Sequence, residues 1–157
     1  VNKYASDNNA DDPYDKGNNP ITDENLKKAE SDDHIILTGI VPKEDVYKHM
    51  AAFDVLVHPT YREGFGKVLQ EAMGMSLPII TTNVPGASEV IEHGKYGVMV
   101  EPHNVADLAE KMQQIVMDEG LRHQLSEEGR KRAEQYFDRP IMLNNILNDM
   151  NEIARGE

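Results

Sequence analysis

Apolar and polar positions along this chain follow two periods. Short apolar runs at 34–38, 54–58, 78–82 and 97–100 have the length and the β-branched content of strands. The run at 54–58, Asp-Val-Leu-Val-His, predicts a buried parallel strand. Between the runs, apolar residues recur at helical spacing. A helix opening at Pro42 and Lys43 carries Val46, Met50 and Phe53 on one side. A second has its body at 67–75. A third, over 104–118, aligns Val105, Leu108, Ala109, Met112, Ile115 and Val116. A fourth, over 121–137, aligns Leu121, Leu125, Ala133 and Tyr136. A last helix starts near Pro140 and is expected to bury Ile146, Leu147, Met150 and Ile153. Shorter helices are expected at 23–31, capped by Thr22, and at 87–92. Strands alternating with helices predict an α/β fold, a parallel sheet with helices on both faces. Residues 5–21 hold Asn-Asn, Asp-Asp-Pro and Asn-Pro signals and predict a surface loop. A specificity loop beside a ligand is the less favoured reading of that segment.

The candidate chemistry sits where the second of these strands turns into a helix. Pro59-Thr60-Tyr61-Arg62-Glu63-Gly64-Phe65-Gly66-Lys67 places two glycines between the strand and the helix. The first amides of a helix have no intrahelical partner, and the dipole there favours an anion. In a doubly wound sheet, ligands bind beyond the carboxyl ends of the strands, where this turn lies. Glu63 and Glu71 flank the turn with seven residues between them. Ionised carboxylates repel phosphate but accept hydrogen bonds from hydroxyls. A phosphate site flanked by two hydroxyl acceptors suits a nucleotide-sugar.

Composition narrows the partners. A net charge of −12 argues against nucleic acid and against an anionic membrane surface. The chain has no cysteine, hence no disulfide framework and no thiolate metal site, which fits a reducing cytoplasm. No apolar run approaches a membrane span. The six histidines do not cluster with carboxylates at metal-ligand spacing. His58, at a strand end, is the one histidine worth testing, against a favoured reading as a packed or hydrogen-bonded side chain. The sequence holds no nucleophile elbow, Walker sequence or dinucleotide GxGxxG.

The paired glutamates around Gly64-Phe65-Gly66, followed by Glu71-Ala72-Met73, resemble the signature of retaining nucleotide-sugar glycosyltransferases with the GT-B fold. Pro78-Ile79-Ile80-Thr81-Thr82-Asn83-Val84-Pro85-Gly86, Ser88-Glu89-Val90-Ile91, Gly94 to Val100 and Val105 to Ala109 fit in order and spacing, as does Ile35 to Val41 upstream. The resemblance covers residues 34–155. Each piece alone is weak, but the ordered set is specific. It implies a Rossmann-like parallel sheet, the C-terminal domain of a GT-B enzyme. On that basis residues 1–33 are a partial, loop-rich start, and residues 34–157 are the donor-binding domain with C-terminal helices. Val1 is then expected to follow a truncation that removes the acceptor domain and the first strand and helix of the donor domain. The family's basic Arg and Lys pair, which neutralises the diphosphate, has no match here, so the fragment alone is expected to be inactive.

The resemblance assigns roles by position. Glu63 would touch a hydroxyl of the transferred sugar. Gly64 and Gly66 would let the sugar and the diphosphate approach the main chain, and Phe65, Gly66 and Lys67 would offer them backbone amides, the Lys67 side chain pointing to solvent. Arg62 is the better side-chain candidate for the diphosphate. Glu71 would bind the ribose hydroxyls, and Ile40 and Val41 would meet the nucleobase through backbone atoms. Each has a bland alternative: Glu63 and Glu89 as helix N-terminal carboxylates, Glu71 as a solvated glutamate, Arg62 as an exposed cation. Val84-Pro85-Gly86 departs from the family's pair of glycines, and Pro85 removes a donor. The donor would be a nucleoside diphosphate hexose, with no cofactor and no metal. The acceptor would be a saccharide or lipid-linked hydroxyl in polysaccharide or glycolipid synthesis. The intact protein would be cytoplasmic, with room for peripheral contact at the inner membrane through the missing domain. Two other readings stay open: a UDP-sugar epimerase of the same fold, and a non-catalytic nucleotide-sugar binding module.

Overall fold

The computed structural model describes residues 23–155. The chain divides into two compact units, the first ending at Lys43 and the second beginning at Glu44. Within the first, α1 covers Asp23–Glu30. The expected cap at Thr22 and the expected loop at 5–21 lie outside the described residues. The expected strand at 34–38 does not form, and Ile35, Ile36 and Leu37 are exposed. A helix satisfies its own backbone, but a strand needs a ladder partner, and this run has none among the described residues.

The second unit holds a three-stranded parallel sheet in the order β1-β2-β3. The strands are β1 (Leu56–His58), β2 (Ile79–Thr82) and β3 (Val98–Val100). Central β2 is buried along its whole length. Its alternation sends Ile79 to one face and Ile80 to the other. The Ile79 face packs against α2 (Val46–Met50), α3 (Lys67–Gly74) and α4 (Ala87–Val90). Its core is Leu69, Ala72 and Met73 of α3, with Met50, Val90 and Ile91. The Ile80 face packs against α5 (Val105–Met117) through Ile115 and against the first half of α6 (Glu119–Arg132) through Leu125. Helices on both faces of a parallel sheet are the arrangement expected from the sequence. Asn104 caps α5 by accepting from the Asp107 amide, and Asp118 caps α6 by accepting from the Leu121 amide.

Several expectations change. β1 begins at Leu56 rather than 54, and it is a half-buried edge of the described sheet rather than a strand buried on both sides. Phe53 is exposed because α2 ends at Met50, before Phe53 can join its buried side. On α5, only part of the apolar stripe is used. Ile115 is buried in the cluster with Ile80, Val100 and Leu125, whereas Val105, Met112 and Val116 are exposed. α6 passes into a π-helical turn at Ala133–Phe137, which buries Ala133 and turns Tyr136 outward. The last helix, α7 (Arg139–Arg155), keeps Ile146, Leu147, Met150 and Ile153 exposed instead of buried. Spacing gave α7 an apolar stripe, but no described element of the second unit covers it. No described helix is long and apolar enough to cross a membrane.

Candidate functional site

The site forms where β1 ends. His58 closes the strand, and the loop 59–66 carries the chain into α3. Two neighbouring threonines of β2 hold that loop. The Thr81 hydroxyl donates to the His58 carbonyl at 2.9 Å. Thr82 Oγ1 accepts from the Thr60 amide at 3.1 Å and donates to the Thr60 carbonyl, so its side chain continues the ladder beyond the last backbone pair. Thr60 Oγ1 then donates to the Arg62 carbonyl at 2.8 Å and tightens the bend before Glu63. Both β2 threonines are buried. Thr82→Val keeps the shape and removes both hydroxyl bonds, stranding the Thr60 amide. It is expected to cost about 1–3 kcal/mol in urea unfolding, with Thr82→Ser close to the parent.

Glu63 lies across the turn it helps to form. Its Oε1 accepts from the Gly64 amide at 3.1 Å and the Gly66 amide at 3.0 Å. Its Oε2 lies 3.1 Å from His58 Nε2. The hydrogen bond from His58 holds the carboxyl below the ordinary glutamate value, the Gly66 amide acts the same way, and burial opposes them. The sign of the linkage follows. A lowered folded-state value stabilises the fold above the ordinary glutamate pKa of ~4.3, and that contribution is lost as pH falls through the folded value. Between pH ~6 and pH ~3 the protein is therefore expected to lose more stability than its Glu63→Gln variant, read from urea midpoints.

The two glycines differ. Gly66 has φ 57° and starts α3 from the left-handed region, where glycine is strongly favoured. Gly64 has no positive φ, and a Cβ there would meet nothing within 4 Å, so the turn itself does not require glycine at that position. The expected set of free amides is also modified: the Gly66 amide, and with it that of Gly64, is engaged by Glu63. The Lys67 amide opens α3 without an earlier helical carbonyl to pair with. Phe65 is exposed, and its carbonyl accepts from the Gln70 side chain at 2.7 Å.

Glu71 stands one turn further along α3 and is about half exposed. Its ion pair with Lys67, 3.7 Å long, is loose and solvent-facing. The Lys67 side chain is exposed, as expected. Lys67, Gln70 and Glu71 line one wall of an open groove of about 450 Å³, with Arg130, Glu134 and Phe137 opposite. Arg62 is exposed, and its amide donates to Thr60 Oγ1 at 3.3 Å. Ile40 and Val41 belong to the first unit, whereas Glu63 and Glu71 belong to the second. Glu89 is on α4, exposed, and its carbonyl accepts from Arg132 at 3.2 Å. No group of three or more His, Asp or Glu side chains that could hold a metal ion occurs among the described residues.

Four residues contribute in ways that were not read from sequence. Thr81 and Thr82 are a pair of hydroxyls at the carboxyl end of a buried strand, a signal that was available. Gly86, with φ 81°, packs directly behind the turn, where a Cβ would lie 2.3 Å from the Glu63 carbonyl oxygen. Arg132 holds the other end of α4. Its Nε donates to the Val90 carbonyl at 2.8 Å, its Nη1 pairs with Glu92 at 2.9 Å, and the guanidinium lies over Tyr96, Tyr136 and Phe137. One arginine among several cations of a charged helix gives no such signal.

Comparison with known proteins places this geometry. CapM of Staphylococcus aureus, a capsular polysaccharide biosynthesis glycosyltransferase, is 43% identical over 89 residues, covering 57% of this chain and 23% of CapM. The chain spans about a quarter of the length of the curated relatives it matches. The crystallographic C-terminal domain of LpcC, a group 1 family glycosyl transferase from Francisella tularensis, superposes with a TM-score of 0.65 at 26% identity. That match covers 74% of this chain and 60% of the domain. Anabaena Alr3699/HepE in complex with UDP superposes with a TM-score of 0.64 at 26% identity, over 70% of this chain and 30% of HepE. The sequence profile of the family described as glycosyl transferases group 1 matches residues 17–132, a span that contains the sheet, the 63–66 turn and both glutamates. That match takes in well over half of the residues, and the chain belongs to the group 1 glycosyl transferases.

Proposed function

We propose that this chain is the donor-binding half of a retaining glycosyltransferase that moves a hexose from a nucleoside diphosphate sugar to an acceptor hydroxyl, in polysaccharide or glycolipid synthesis. One observation carries the reading. Two carboxylates stand on either side of a helix-opening turn at the carboxyl end of β1, one fixed by three hydrogen bonds and one open to solvent. The fixed one, Glu63, accepts a hydrogen bond from a hydroxyl of the transferred sugar. Its three bonds use three of roughly four lone-pair sites, which leaves about one for a sugar hydroxyl. The open one, Glu71, binds the ribose hydroxyls. Arg62 and the amides of Phe65 and Lys67 serve the sugar and the diphosphate, the Gly64 and Gly66 amides being engaged by Glu63. The UDP complex of HepE and the role of CapM in capsular polysaccharide synthesis support the substrate class.

In this reading the acceptor hydroxyl attacks the anomeric carbon on the face from which the diphosphate departs. Charge builds on the departing phosphate oxygens, and fixed amide dipoles at the start of α3 stabilise it without reorganising. No metal is called for, and no general acid–base pair beyond the substrate's own oxygens.

An amide chemical-shift titration with UDP, GDP, ADP and UDP-glucose tests this. Shifts centred on residues 64–71 and selective for one base are the expected result. Shifts elsewhere, or none for any nucleotide in a chain extended at its N-terminus, would remove the donor-site reading.

A further inference from the structure

We propose that His58 is a positioning residue for Glu63, fixing which carboxylate oxygen faces the transferred sugar. The inference rests on the donor-site reading above and adds a residue to it.

A carboxylate held through one oxygen still turns about its last bond. Oε1 of Glu63 takes both amide bonds, from Gly64 and Gly66. Those bonds locate Oε1 but leave Oε2 to swing. The contact from His58 Nε2 at 3.1 Å removes that freedom. An ionised carboxylate only accepts, so Nε2 must carry the hydrogen. His58 is itself held. It is the last residue of β1, in register with Thr81, whose hydroxyl donates to the His58 carbonyl at 2.9 Å. The imidazole and the carboxylate are both mostly enclosed, with 31% and 22% of their side chains exposed. A pair shielded in this way competes less with water than the exposed ion pairs of this chain, such as Lys67–Glu71. The route runs from β2 through His58 to Glu63, so the rigid centre of the sheet sets the direction of the carboxylate proposed to touch the sugar.

The test compares the 157-residue chain with His58→Gln, which keeps a donor near the Nε2 position, and His58→Phe, which keeps a ring and removes the donor. The first readout needs no ligand. In carboxyl-carbon NMR titrations, Glu63 is expected to titrate below the ordinary glutamate value in the parent and in His58→Gln, and to rise in His58→Phe. A Glu63 titration and Gly64 and Gly66 amide shifts unchanged in His58→Phe would overturn the inference. The second readout is the affinity for UDP-glucose relative to UDP. His58→Phe is expected to lose about tenfold of the advantage that the glucose adds, the loss of one charge-assisted hydrogen bond, while affinity for UDP stays within about twofold. His58→Gln should recover most of it. Equal loss in both variants, or loss of UDP affinity to the same degree, would show packing alone and overturn the positioning role. If the parent keeps the low Glu63 titration yet binds UDP-glucose no better than UDP, the donor-sugar reading falls and the positioning role falls with it. The intact His58–Glu63 coupling then marks which of the two was at fault.

Discussion

Gly86→Ala is expected to lower the stability of the chain by about 2–5 kcal/mol. Two costs combine. Gly86 has φ 81°, which a residue with a Cβ adopts only under strain. The new Cβ would also sit 2.3 Å from the Glu63 carbonyl oxygen and 2.9 Å from that of Gly64. Both contacts are with backbone, so no side chain can rotate away, and either α4 or the 63–66 turn must shift. Gly64→Ala is the control. It has open space around the added methyl and no positive φ, so a change of no more than about 0.5 kcal/mol is expected. Urea unfolding of the three proteins checks this. Coincident midpoints for Gly86→Ala and the parent would mean that α4 does not bear on the turn. Because the displaced backbone is that of Glu63 and Gly64, donor binding is expected to fall along with stability, whereas Gly64→Ala separates ligand approach from folding.

Glu71→Ala is expected to do the opposite: to cost nucleotide affinity and almost no stability. The side chain is about half exposed, and its one ion pair, with Lys67, is a loose surface contact. Such pairs contribute a few tenths of a kcal/mol, and alanine is the better helix former. The melting transition should therefore move little. Affinity for UDP is expected to fall about 10- to 100-fold, the loss of one or two hydrogen bonds to a charged acceptor. The UDP titration described above reads this directly. Unchanged affinity with unchanged stability would leave Glu71 as a solvated helix residue and end its role at the ribose.

Much of this protein was legible as pattern. Parallel order followed from short β-branched runs spaced by helical stretches, and β1 pairing β2 and β2 pairing β3 agrees with it. α5 and α6 fell close to their expected limits because Asn104 and Asp118 cap them locally, and caps are a matter of a few adjacent residues. Burial was read less well. Ile146, Leu147, Met150 and Ile153 form an apolar stripe on α7, but a stripe states only what a helix can bury. Whether anything covers it depends on another element. The run at 34–38 failed for a related reason. Its composition suits a strand, but a strand exists only through its neighbour, and the described residues supply none.

The sequence by itself determined the α/β alternation, the place of the 63–66 turn at the carboxyl end of β1, and the pairing of Glu63 with Glu71 by position along the chain. These are local properties: period, a glycine able to take φ 57°, and the free amides of a helix start. Tertiary structure decided how the turn is held and what Glu63 does there. Thr81 and Thr82 reach it from the neighbouring strand, His58 reaches back across five residues, and Gly86 presses against it from more than twenty residues away. None of these contacts repeats along the chain, so no periodicity reports them. They arise only when separate segments are brought within hydrogen-bonding or van der Waals distance, and that is a property of the packed fold.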